Sequence, residues 1–124
     1  METKEFTIRR DGDRDLRFKG AELAAVSSFY HQGPMNTRWC ELTLYKTEGN
    51  KYVVADVNRT RWEGEHDTHS ATVCETADDV YAALTDDTEE YGGGVTLNGL
   101  AKELLEEAAQ EDEGFKDLTL EDID

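Results

Sequence analysis

Two histidines three apart, His66 and His69, stand upstream of Cys74, and Cys40 lies further back; no other side chains in this 124-residue chain are so suited to chemistry. Together they form a nitrogen and sulfur set of the kind zinc takes in tetrahedral sites. The paired Cys-x-x-Cys spacing of structural zinc sites is missing, however, and Cys40 falls within an alternating apolar run. The plainer reading is a polar loop followed by structural thiols, so no metal and no cofactor is expected. A thiol nucleophile needs an electropositive, partly open setting, whereas both cysteines lie in strand patterns of an acidic chain. Ser27 and Ser28 lack a nucleophile-elbow context. No catalytic residue is expected, and the chain reads as non-enzymatic.

Gly92-Gly93-Gly94 precedes a helical pattern, as phosphate-cradling loops do, but the Lys-Ser/Thr pair is absent. Asp86, Asp87, Glu89 and Glu90 stand just before it and would repel phosphate. The same acids miss the spacing of a calcium loop. Arg9, Arg10, Arg14, Arg17, Arg59 and Arg61, with Trp62, have the chemistry of a surface for single-stranded nucleic acid. A formal net charge of −16 opposes that use, so direct nucleic-acid binding is not expected.

The charge is unevenly spread. Residues 1–74 hold 12 acids and 11 bases, whereas residues 75–124 hold 17 acids against Lys102 and Lys116 alone. Adaptation to high salt would acidify the whole surface, so the asymmetry points instead to a dedicated face or an acidic tail. Glu103, Glu106, Glu107, Glu111, Asp112 and Glu113 fall within ten steps, about 15 Å if helical. That is about one charge per 2.5 Å, between the roughly 3.4 Å of one DNA strand and roughly 1.7 Å of a duplex. Like charges four apart cost a helix about 0.2–0.5 kcal/mol each, and acids near a helix C-terminus oppose its dipole. A surface that breaks two local rules without visible compensation is a candidate functional surface. Asp86, Asp87, Glu89 and Glu90 form a second cluster.

The elements that must position these groups begin with a hairpin over 37–60. Cys40, Leu42 and Leu44 alternate with polar and aromatic residues, as do Val53, Ala55 and Val57. A four-residue loop, Thr47-Glu48-Gly49-Asn50, would pair Leu44 with Val53, Leu42 with Ala55 and Cys40 with Val57 on one face. Strands are also expected over 4–9, 16–19, 20–30 and 70–74. Thr76 caps a first helix with Ala77, Val80, Tyr81 and Leu84 as its apolar stripe. A flexible acidic loop is expected over 86–94, then a helix over about 97–112 with Leu97, Leu100, Ala101, Leu104 and Ala108 inward. The fold class is α+β: an antiparallel meander of five to six strands followed by two helices packed on the sheet. Residues 1–114 form one domain and 115–124 an acidic tail with spaced Phe115, Leu118, Leu120 and Ile123. METKEFTIRR carries no apolar signal segment and no run is long enough to cross a membrane, so a cytoplasmic protein is expected.

Phe18-Lys19-Gly20, Arg38-Trp39, Leu44-Tyr45-Lys46-Thr47, Tyr52-Val53-Val54 and Val73-Cys74-Glu75-Thr76 resemble stretches of small uncharacterised proteins carried by bacteria, phages and mobile elements. The resemblance covers about residues 20–110 and implies an accessory or counter-defence protein rather than a metabolic enzyme. The expected partner is a basic nucleic-acid-binding protein or complex, met by the acidic residues named above. An alternative is docking through the tail Phe115–Asp124.

Overall fold

The computed structural model describes residues 3–27, 38–61, 64–87, 95–97 and 99–115. Five strands run in chain order across one antiparallel sheet: β1 (Lys4–Ile8), β2 (Leu16–Ser27), β3 (Arg38–Thr47), β4 (Tyr52–Thr60) and β5 (Thr68–Cys74). Helix α1 (Ala77–Leu84) follows, then a two-stranded ribbon of β6 (Thr85–Asp87) and β7 (Val95–Leu97). Helix α2 (Gly99–Ala109) and a 3₁₀ turn (Glu113–Phe115) end the described chain. The α+β architecture is the expected one. The segments expected as separate strands over 16–19 and 20–30 are, through Ser27, one long strand with a bulge between Glu22 and Ala24, and residues 28–30 lie outside the described residues. The bulge lets Leu23 and Ala24 both turn inward.

The β3–β4 register is one residue away from the expected one. Tyr45 faces Val53, Thr43 faces Ala55 and Glu41 faces Val57, while Leu44 pairs with Val54 and Leu42 with Asp56. The loop explains the slip. Thr47 N–H donates to Lys51 O at 2.8 Å, closing three residues, Glu48-Gly49-Asn50, instead of four. Asn50 N–H donates to Thr47 O at 3.0 Å and Asn50 takes φ +63°, the left-handed residue that ends a three-residue hairpin.

Leu42, Leu44, Tyr52 and Val54 therefore share the helix-covered face, with Leu23, Ala24 and Val26 of β2 beside them. Val53 and Ala55, on the other face, are also buried, at 2% and 6% exposure. The sheet itself covers them by curling. Phe6, Phe18 and Tyr45 cluster on that face at centroid separations of 4.7–5.6 Å. The β1–β2 turn reaches the far strand: Asp11 N–H donates to His69 O at 2.9 Å, and His69 N–H donates to Asp11 Oδ2 at 2.7 Å. Gly20 makes the bend close, because a Cβ there would lie inside the Lys46 carbonyl oxygen.

Helix α1 begins as expected, with Thr76 Oγ1 accepting from Asp79 N–H at 3.1 Å. Its Val80 and Leu84 are buried, and Ala77 and Tyr81 pack beside them. The expected acidic loop is bounded by the ribbon: Asp86 and Asp87 belong to β6, opposite Thr96 and Val95. Residues 88–94 lie outside the described residues.

Helix α2 is shorter than expected at both ends. Leu97 belongs to β7, and after Ala109 the chain tightens, with Glu111 N–H donating to Ala108 O at 3.0 Å. This turn drives Phe115 into the core, where it is 0% exposed and meets Tyr52 edge-on at 5.1 Å. Phe115 thus packs as part of the domain instead of starting a tail, and residues 116–124 lie outside the described residues. Replacing Phe115 by Ala is expected to remove about 3–5 kcal/mol of stability, read from urea unfolding. A midpoint unchanged from the parent chain would mean that the ring does not pack there.

Candidate functional site

Helix α2 owes its orientation to Ala101, Leu104, Leu105 and Ala108, all buried against the sheet. Leu105 joins the stripe expected from sequence, and the helix lies against β2 and β3. Lys102, Glu103, Glu106 and Glu107 are exposed. With 3.6 residues per turn, the three glutamates fall on one solvent-facing arc of about 100°. Glu111 and Glu113 continue the acidic run in the tight turn beyond the helix, both exposed.

The six acids expected to act together have different environments. The side chains of Glu106, Glu111 and Glu113 make no hydrogen bond or ion pair with a described residue. Glu107 Oε1 accepts from Ala25 N–H at 3.4 Å, on the part of β2 that β1 does not reach, since β1 pairs only with Leu16–Gly20. Asp112 is a structural group. Its Oδ2 takes the Lys46 ammonium at 3.0 Å and the Tyr52 hydroxyl at 2.8 Å, and its Oδ1 accepts from Gly114 N–H at 2.8 Å. Its side chain is 12% exposed. In the second cluster, Asp86 and Asp87 are placed by the β6 backbone, whereas Glu89 and Glu90 lie outside the described residues.

Burial pushes the Asp112 carboxyl upward, but the Gly114 amide, the Lys46 ammonium and the Tyr52 hydroxyl together hold it below its usual 3.8. The hydrogen bond to Asp112 in turn raises Lys46 above its usual 10.5. Burial, then Asp112, raises Tyr52. The folded carboxyl binds its proton more weakly than the unfolded one, so it stabilises the fold above pH 3.8 and loses that contribution as pH falls further. Lys46 has the opposite sign: its contribution is complete below pH 10.5 and fades as pH rises beyond it.

Three arginines, Arg9, Arg10 and Arg59, are paired with acids of the sheet and its turns. Arg9 lies 3.6 Å from Asp11, and Arg10 lies 3.5 Å from Asp13. Arg59 is held between Glu41 at 2.9 Å and Asp67 at 3.1 Å, which raises it, and the Thr60 amide followed by Arg59 lowers Asp67. Arg61 stacks over Trp39 at 5.2 Å, and the Trp39 indole donates to Glu41 at 3.1 Å. Arg9, Arg10 and Arg59 of the basic set weighed in the sequence are therefore interleaved with Glu41, Asp67, Asp11 and Asp13; Trp62 lies outside the described residues.

The histidines and cysteines do not converge. Cys40 is opposite Asn58 and Cys74 opposite Tyr52, six residues apart on β4, or about 20 Å. Among the described residues, no group of three or more His, Cys, Asp or Glu side chains is placed to hold a metal ion. The Cys40 thiol donates to Asp56 at 3.1 Å. Burial, the Asp56 bond and the charges of Asp56 and Glu41 push it up to about 12. Burial and Asp79 also raise Cys74. Neither thiol is set up as a nucleophile.

No protein family, curated protein or solved structure matches the chain. Among the described residues, no helix is long and apolar enough to cross a membrane. Of the six acids expected together, Glu103, Glu106 and Glu107 lie on α2, whereas Glu111, Asp112 and Glu113 follow its end. The sequence pattern gave no warning of Asp112's internal role, because its partner Lys46 lies 66 positions away in the chain.

Two measurements check these environments. Asp112→Asn is expected to cost about 1–3 kcal/mol at neutral pH and to flatten the fall in stability below pH 3.8. An acid limb identical to that of the parent chain would show that the carboxylate does not brace the fold. In the native protein at pH 8, both cysteines should react with iodoacetamide far more slowly than after unfolding; fast modification of Cys40 in the folded chain would contradict the Asp56 contact.

Proposed function

We propose that the chain is a non-enzymatic acidic binding protein whose helical end substitutes carboxylates for nucleic-acid phosphates and thereby occupies the basic groove of a nucleic-acid-binding partner. The observation that carries this reading is the solvent face of α2, where Glu103, Glu106 and Glu107 lie together and lead into exposed Glu111 and Glu113. Three carboxylates within about 6 Å of helix axis give a charge density above the about 3.4 Å per phosphate of one DNA strand. The internal pairing of the sheet arginines supports the reading, since Arg9, Arg10 and Arg59 are paired elsewhere. Partner lysines and arginines would take the places that water and counterions occupy, and long-range attraction would speed the encounter. A counter-defence inhibitor of the anti-CRISPR or anti-restriction kind has this physical requirement.

Asp112 is excluded from the proposed contact set because it holds the fold. Its neighbours are the test. Reversing Glu106, Glu111 and Glu113 to Lys should leave the circular dichroism spectrum unchanged. The reversal should also abolish capture of a basic partner from a bacterial lysate at low salt. Duplex DNA added in excess should displace that partner from the parent chain, and raised salt should do the same. A partner retained by the reversed chain, or indifferent to DNA, would rule the mimic out.

A further inference from the structure

Strand β5 closes the main sheet, and one of its edges is open. His69 turns both its N–H and its carbonyl away from β4, since both bond to the Asp11 turn. Orientation alternates along an antiparallel strand, so Ala71 and Val73 also direct their N–H and C=O groups off that edge. Among the described residues, nothing bonds them there. Val73 is 47% exposed, and Thr72 on the opposite face is exposed too.

Proteins protect such edges with lysine, proline, bulges or a covering segment. The strand THSATVC contains no lysine and no proline, and Asp11 covers only its first turn of ladder. A second copy of the chain is a poor occupant, since each carries −16. The surroundings favour a cation: Glu75 follows the strand, and Asp78 and Asp79 lie in the first turn of α1, all exposed. Lys51, 3.4 Å from Glu75, and Arg9, 3.6 Å from the Asp11 that bonds His69, are nearby bases, and both already face an acid.

We propose that the open edge of β5 accepts an extended, lysine- or arginine-rich peptide segment of a partner protein as an added strand. Its main chain bonds Ala71 and Val73, an apolar side chain of the segment rests on Val73, and its cations face Glu75, Asp78 and Asp79. Main-chain bonds supply affinity in such strand addition, and alternate side chains supply specificity. This surface is separate from the one proposed above. Helix α2 lies over β2 and β3, whereas α1 and the open edge belong to β4 and β5.

The test uses an acetylated, amidated peptide of alternating lysine and valine, titrated into isotope-labelled full-length chain. In the free protein, the amides of Ala71 and Val73 should exchange with solvent quickly while those of Ser70, Thr72 and Cys74 are protected. The peptide should protect Ala71 and Val73 about tenfold or more, and a glutamate–valine counterpart should not. Ala71→Pro removes an outward donor without touching the β4 ladder and should abolish that protection. If that variant unfolds, Val73→Lys places a like charge at the edge and should weaken binding about tenfold. The chain reversed at Glu106, Glu111 and Glu113 should still bind the peptide at β5, so loss of the helix reading leaves this one standing. Slow exchange of Ala71 and Val73 in the free protein would overturn the proposal. So would the absence of any response there at millimolar peptide, or a response confined to α2.

Discussion

Asp112 must satisfy a lysine, a tyrosine hydroxyl and a backbone amide at once, and the end of the helical layer is fixed to the β3–β4 hairpin through those bonds. Charge-assisted hydrogen bonds to a sheltered carboxylate are stronger than neutral ones. Leaving any partner unmatched carries the cost of desolvating it. The geometry is shared with an apolar contact, because the Tyr52 ring that offers its hydroxyl to Asp112 also receives the edge of Phe115. Helix α2 ends at Ala109 for the same reason. Continuing it in regular geometry would carry Asp112 and Phe115 past the positions where these bonds and this packing are made.

The acidic face is a by-product of that anchoring as much as of composition. Ala101, Leu104, Leu105 and Ala108 face the sheet, which leaves Glu103 and Glu106 turned outward and Glu107 at the rim, where it accepts from Ala25 N–H. Crowded carboxylates on a short helix are unfavourable in isolation. They persist here because the buried stripe and the Asp112 contacts hold the helix regardless of its outer charge. Arg9, Arg10 and Arg59 are engaged with acids of their own sheet and loops and not with this surface.

Much of this was legible in the residues. Alternation marked the strands, Thr76 marked the start of α1, and the 3.6-residue spacing marked the apolar stripe of α2. The hairpin register was not legible, and the reason is physical. An alternating pattern fixes register only when one face is buried. On β4, four consecutive residues, Tyr52, Val53, Val54 and Ala55, are all buried, because helices cover one side and the curled sheet covers the other. The decision then passes to the loop, where Asn50 in a left-handed conformation shortens the connection by one residue. The roles of Asp112 and Phe115 were hidden for a different reason: both depend on partners in β3 and β4 that local spacing does not report.

The bond between the first turn and the last strand of the sheet has a consequence for synthesis. His69 lies 58 residues after Asp11, so the amino-terminal hairpin emerges from the ribosome long before the strand that secures it. Closing so wide a loop carries an entropic cost before any contact rewards it. Until β5 arrives, the turn at Asp11 lacks the two backbone partners that His69 supplies, and the amino-terminal hairpin is held by its pairing with β3 alone.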